Sequence, residues 1–151
     1  MSEPSTEDAA RVAVRLGGDY VLRCLRMLGE LSGGETMTGL ISLAIVQANV
    51  GHLDSREGSG PYRDSHDLPP DHTRRPVSVL SISSSLGLPY ETTRRHVEKM
   101  IRSGHVERVR GGIVVPARAL DTPRHRELLA EHLVSVRRLA RSLASAGVDL
   151  S

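Results

Sequence analysis

Nine cations gather between positions 74 and 118 of this 151-residue chain: Arg74, Arg75, Arg94, Arg95, Lys99, Arg102, Arg108, Arg110 and Arg118. Only Glu91, Glu98 and Glu107 oppose them, so this stretch carries a balance of +6, against −5 for residues 1–73 and +1 for the remainder. A guanidinium group offers N–H donors in a fixed planar fork that matches phosphate oxygens and the O6/N7 edge of guanine. A basic block between acidic and near-neutral flanks is the electrostatic footprint of a surface for polyanions. The aromatic content narrows the polyanion. There is no Phe and no Trp, and Tyr20, Tyr62 and Tyr90 are the only aromatics. Grip on single strands relies on stacking bases against aromatic rings, so a duplex is the expected ligand.

The elements that position these cations are legible in PVSVLSISSSLGLPYETTRRHVEKMIRSGHVERVRGGIVVP. Ser78 is a good N-cap, and Val79, Leu80, Ile82 and Leu86 give a short helix its inward face. Gly87 supplies the left-handed residue that reverses a chain within three or four positions, Leu88 plugs the turn, and Pro89 lets a new helix begin. That helix is expected over 90–103, with Thr93, Val97, Met100 and Ile101 facing a core. Its outer side carries Tyr90, Glu91, Thr92, Arg94, Arg95, His96, Lys99 and Arg102. Gly104 ends it. A strand over 105–109, a tight turn at Arg110-Gly111-Gly112 and a return strand over 113–115 form a hairpin that Pro116 stops.

The run SLGLPYETTRRHVEKMIRSGHVERVRGGIVV resembles the winged helix modules of bacterial transcription regulators, broadly those of the GntR and MarR groups. The matching features are Leu86-Gly87-Leu88 in the turn, Glu91-Thr92 opening the second helix, Arg94-Arg95 within it and Gly104 before the wing. The resemblance covers about 45 residues and implies a sequence-specific regulator of transcription that binds double-stranded DNA. Ser83-Ser84-Ser85 departs from it, standing where such modules more often carry Ala, although small residues still fit. By position, Glu91, Thr92, Arg94 and Arg95 would reach base edges and nearby phosphates of a major groove wide enough for one helix, with Tyr90 among the DNA-binding residues at its start. A bidentate arginine–guanine pair discriminates by about 1–3 kcal/mol. Lys99 and Arg102 would meet phosphate, and Arg108 and Arg110 the backbone or minor groove from a wing over 105–116, with Gly111-Gly112 allowing close approach. Arg74 and Arg75 would add phosphate contacts. The competing reading is a winged helix whose basic face binds protein.

Around this module the chain reads as mainly α with one small β-hairpin wing: a winged helix-turn-helix with extra N-terminal helices and a long C-terminal helix. Residues 1–53 form an N-terminal helical segment for association or effector binding, 54–73 a loop, 74–118 the module and 119–151 the C-terminal helix. Ser5-Thr6 opens the first helix, Gly17-Gly18 interrupts it, and Asp19 caps a continuation in which Val21, Leu25 and Leu28 recur at helical spacing. Ser32-Gly33-Gly34 is a turn. The helix after Glu35 is apolar around most of its circumference, which calls for burial on several sides and suggests subunit association. Thr122 caps the last helix, Pro123 takes its first position and Gly147 closes it. Its stripe of Leu129, Leu133, Val136, Ala140 and Leu143, with Leu128, His132 and Leu139 beside it, suits either core packing or a homodimer interface.

Other chemistry finds little footing. His66, Asp67, Asp71 and His72 crowd the loop, and His125 and His132 lie seven apart, but none repeats a known zinc-ligand spacing. Ser59 sits between glycines without a strand–turn–helix to hold it as a nucleophile. No catalytic residue, metal or cofactor is therefore expected, and no enzyme. Cys24 cannot form an intrachain disulfide, the N-terminus lacks the features of a secretory signal, and no apolar run approaches the roughly 20 residues of a membrane span. A cytoplasmic protein, not bound to membrane, is the expectation. A small apolar effector held by the N-terminal helices is a third reading of the same chain.

Overall fold

The computed structural model describes residues 6–53 and 67–148. Along the chain run α1 (Thr6–Leu31), α2 (Thr36–Val50), a 3-10 turn (Gly51–Leu53), a second (Asp71–Thr73), α3 (Val79–Leu86), α4 (Tyr90–Arg102), β1 (Glu107–Val109), β2 (Gly112–Val114), α5 (Ala117–Leu120) and α6 (Pro123–Ser145). The protein is mainly helical, with one small two-stranded antiparallel sheet after several helices. Two compact units divide it. One is Leu28–Arg126; the other joins the chain's beginning, through Met27, to its end from Glu127.

In the unit Leu28–Arg126, the apolar spacing of α2, α3 and α4 converges on a single core. Ile41 and Ile45 of α2, Ile82 of α3, and Val97 and Met100 of α4 meet Val106, Ile113 and Val115 from the hairpin. One side of α2, carrying Ile41 and Ile45, is thus met by its own chain, while Met37 and Leu43 stay exposed. The sequence had set that helix apart in an association segment; its packing makes it part of this core. Gly39 is what lets α2 approach the end of α1, since a Cβ there would stand 2.3 Å from the Leu28 carbonyl oxygen.

The hairpin pairs Glu107 with Val114, Arg108 with Ile113 and Val109 with Gly112. β1 is shorter than the expected 105–109, while β2 keeps three residues but begins one earlier, at Gly112. Val77 also pairs with Ile113 through two backbone hydrogen bonds of 3.1 and 2.9 Å. Gly112 answers to that pairing. A Cβ on it would lie 2.4 Å from the Val77 carbonyl oxygen, so the close approach it permits is to the chain's own backbone. Asn49, wholly buried at the end of α2, secures the same junction. Its Nδ2 donates to the carbonyls of Arg75 (2.7 Å) and Ile113 (3.2 Å), and its Oδ1 accepts from the Val115 amide at 3.0 Å. A buried amide satisfied this fully fixes geometry instead of costing stability. Pro116 ends the pairing as expected, but also opens the short helix α5, which the sequence reading lacked.

In the second unit, α1 continues unbroken through Gly17-Gly18. Helix elongation needs only backbone hydrogen bonds once a nucleus exists, and the long flanks on either side outweigh about 1 kcal/mol per glycine. Asp19 accordingly caps nothing; it pairs with Arg15 one turn earlier, at 3.3 Å. Tyr20 of α1 meets His132 of α6, hydroxyl to Nε2 at 3.3 Å. Leu128 is the buried residue of α6, and the face that continues from it through His132 and Leu139 is half-buried. Of the stripe that suited either core packing or a dimer interface, Leu129, Leu133, Val136 and Ala140 are exposed and Leu143 is half-buried. The caps read correctly, with Thr122 Oγ1 accepting from the His125 amide at 3.2 Å and Gly147 left-handed at φ 76°. Ser5, Ser59 and His66 lie outside the described residues.

Candidate nucleic-acid interface

The turn between α3 and α4 is built as its residues dictate. Ser78 Oγ accepts from the Ser81 amide at 3.0 Å to start α3, and Gly87 takes φ 64° to end it. The Leu88 amide then donates to the Ser83 carbonyl at 3.0 Å, which locks the reversal. Ser83 itself is buried, its hydroxyl satisfied by the Leu80 carbonyl at 2.9 Å, so serine serves where a small residue is required.

From Pro89, α4 runs 13 residues with Thr93, Val97 and Met100 buried. Tyr90, Glu91, Arg95, Lys99 and Arg102 are exposed, and Thr92 and Arg94 partly so. The side chains of Arg94 and Arg95 keep 42% and 72% of their accessible surface, so neither is drawn into the core. Glu91 Oε2 accepts from Arg94 Nε at 3.0 Å, and its Oε1 from Arg94 Nη2 at 2.8 Å. The hydrogen bond to Arg94 holds the Glu91 carboxyl below the usual carboxylate range and raises the arginine in turn.

Two cations of the candidate surface are tied to the frame. Lys99 pairs with Glu35 just before α2, whose carboxylate also accepts from Thr38 Oγ1 at 2.8 Å. The Lys99 hydrogen bond is the main reason that the Glu35 carboxyl sits low. Thr38 Oγ1 also lies 2.8 Å from His96 Nδ1, so α2 and α4 are stitched at two adjacent turns. In the hairpin, Arg108 pairs with Glu98 of α4, and Glu107 with Arg118 of α5. Arg75, Arg102 and Arg110 are exposed, with no ion pair among the described residues.

Arg74 departs from the sequence reading. Only 1% of its side chain is accessible. It donates to the Pro69 carbonyl at 3.0 Å and lies 3.6 Å from Asp71, whose Oδ1 in turn accepts from the Ala117 amide at 2.7 Å. Burial lowers its pKa, the nearby Asp71 opposing that fall. Arg74 is an internal strap beneath Asp71 and the start of α5, not a phosphate contact. The next side chain along, Arg75, points out. Spacing alone could not have separated the two, because in extended backbone neighbouring residues take opposite sides.

Sequence reasoning also missed Glu35 and Glu98 as anchors. Their partners lie 64 and 10 residues away, beyond any local pattern. Of the histidines weighed as ligands, His132 meets Tyr20, and His125 stacks 6.3 Å from His105. Ser42 of α2 lies 2.7 Å from His105 Nε2. A cleft of about 440 Å³ opens between α2 and α4, lined by Glu35, Thr38, Ser42, Lys99, Ser103 and His105 among others. It is partly open, and Leu31 and Met100 line it beside these polar groups. No helix among the described residues is long and apolar enough to cross a membrane. No protein-family model, curated protein or solved structure matches the chain.

Proposed function

We propose that α2 through β2 form a winged helix and that the protein is a sequence-specific, double-stranded DNA-binding transcription regulator. The N-terminal half of α4 enters the major groove, and the hairpin tip at Arg110 meets the backbone or minor groove alongside. What carries the reading is the division of α4: Thr93, Val97 and Met100 hold the core while Glu91, Arg95, Lys99 and Arg102 stay outside. A rod of 13 residues, about 20 Å long, with an exposed basic side suits a groove about 12 Å wide. Lys99 and Arg108, each paired with an acid of the frame, set the pose of that rod; Arg75, Arg102 and Arg110 supply unpaired charge for phosphates.

The regulator works as a homodimer through α1 and α6. On α6, the exposed stripe of Leu129, Leu133, Val136 and Ala140 alternates by four and three residues, a knobs-into-holes pattern. At 100° per residue it lies about 100° around the helix from the face of Leu128, His132 and Leu139. On α1, Val14, Gly18 and Val21 repeat that spacing and are exposed. A helix with two such faces can pack against a neighbour on each, as the helices of a four-helix bundle do. The exposed stripe runs from Leu129 to Ala140, more than three turns of α6, and a second copy of the same stripe is the self-complementary partner of a two-fold contact. Two copies then present α4 to successive major grooves about 34 Å apart.

Selection of bound duplexes from a random library tests the proposal. The expected outcome is an inverted repeat with half-sites about one helical turn apart. Failure to enrich any duplex, with a protein captured on the same face, would favour the protein-binding alternative.

A further inference from the structure

Glu91 is the one acid in the first turn of α4, and it occupies the groups that would read DNA there. Its two oxygens take both Nε and Nη2 of Arg94, and Oε1 lies 3.7 Å from Arg95 Nε. All three side chains are substantially exposed, so the cluster stands on the outer side of α4 rather than in the core.

We propose that Glu91 is the specificity-determining residue of α4, and that the sequence it selects carries cytosine and guanine where Glu91 and Arg94 land. This inference rests on the DNA-binding reading above. A carboxylate has only acceptors to offer, and in the major groove guanine O6 and N7, thymine O4 and every phosphate are acceptors too. Cytosine N4–H₂ is the base-edge donor that a carboxylate side chain typically takes. Arg94 needs a free pair of N–H groups to grip guanine, and Glu91 holds one such pair. The exchange that frees it is reciprocal: Glu91 moves to cytosine N4 while Arg94 moves to guanine O6 and N7. Three residues along a helix rise about 4.5 Å, against 3.4 Å per base step, so the two side chains address the same or neighbouring base pairs. On other sequences Arg94 stays gripped and contributes no base contact, or Glu91 is left facing acceptors. Discrimination of this kind works by penalising the wrong partner.

The test compares wild type with Glu91→Gln and Glu91→Ala on duplexes selected by the wild type and on unrelated duplexes of equal length, across a salt series. The wild-type selection should enrich a cytosine–guanine pair or step in each half-site. Glu91→Gln should bind unrelated duplexes about five- to tenfold tighter near 0.1 M salt, with a log–log salt slope steeper by about one per subunit. The preference for selected over unrelated duplexes should fall by about tenfold or more. Thermal unfolding should change little, because the pair is exposed. Unchanged preference in both variants, or an equal loss on every duplex, overturns the assignment of Glu91 while leaving DNA binding intact. A wild type that binds no duplex at any salt overturns both.

Discussion

Oδ1 of Asn49 accepts the Val115 amide hydrogen at 3.0 Å inside the core, fastening the strand that leaves the hairpin to the end of α2. The position of the hairpin beside α4 therefore depends on a side chain from α2, which holds the Ile113 carbonyl of β2 as well as the Val115 amide. Asn49→Ala strips partners from a buried N–H and from two carbonyls. It should cost about 2–4 kcal/mol in denaturant unfolding. A loss under 1 kcal/mol would mean that the junction is held by backbone pairing alone.

Gly111 and Gly112 differ although they are adjacent and both have positive φ, 96° and 148°. At Gly111 the nearest atom to an added Cβ is Pro76 Cβ at 3.7 Å, an ordinary contact; at Gly112 it is the Val77 carbonyl oxygen at 2.4 Å. Gly111→Ala should cost only the backbone strain, about 1–2 kcal/mol. Gly112→Ala should lower the unfolding temperature further and loosen the Val77–Ile113 pairing, visible as faster amide exchange at Ile113. Equal costs would refute the close approach.

His105 and His125 give the protein an acid-sensitive contact. Burial lowers the pKa of each, and for His105 the neighbouring His125 lowers it further. Ser42 faces His105 from α2, Thr122 faces His125 from the start of α6, and Lys99 shares the cleft with His105. A depressed histidine pKa means that the unfolded chain binds protons first. Their contribution to stability is therefore complete above the ordinary histidine range near 6.5 and is lost as pH falls from there through the lowered folded values. Unfolding free energy measured from pH 8 to 5 should decline below about 6.5, and His105→Asn should flatten that decline. An unchanged slope in the variant would assign the acid sensitivity elsewhere.

Arg74 and Arg95 separate structure from binding. Arg74→Ala should destabilise the fold by about 1–3 kcal/mol through lost packing and an unpartnered Pro69 carbonyl, yet leave the salt dependence of duplex binding as it was. Arg95→Ala should leave unfolding nearly unchanged and reduce the salt slope by about one per subunit. Reversed effects would place Arg74 back on the DNA.

Much of this was legible in the chain before any coordinates. Ser78, Gly87 and Pro89 determine α3, its turn and the start of α4 through local backbone preferences, and Thr122-Pro123 and Gly147 bracket α6 in the same way. Local rules failed where distant partners decide. Gly17-Gly18 reads as a break, but the hydrogen bonds of the flanking turns carry the helix across it. Leu129 and Leu133 read as a stripe that suits either core packing or a homodimer interface, and periodicity alone could not choose; the side facing α1 is set by Leu128 and His132, one position away on the helix. At the candidate site, the outward direction of Arg95 follows from helical period, whereas the loss of Arg74 to the interior and the tying of Lys99 to Glu35 depend on three-dimensional neighbours.

The dimer face makes its own demand. Leu133→Glu with Val136→Glu should convert a dimer into monomers by sedimentation at micromolar concentration, and should weaken binding to paired half-sites far more than to a single half-site. Wild-type protein that sediments as a monomer would remove α1 and α6 from the proposed assembly.

The most direct measurement is equilibrium binding to a selected duplex between 50 and 200 mM salt. Two subunits, each placing Arg75, Arg95, Arg102 and Arg110 on phosphate, predict a log–log slope of about −7, near 0.9 per contact. Replacing Arg95 and Arg102 together should bring it to about −4 while the fold is retained. Affinity that ignores salt, or a slope those replacements leave untouched, would contradict the claim that the outer side of α4 lies in the groove of duplex DNA.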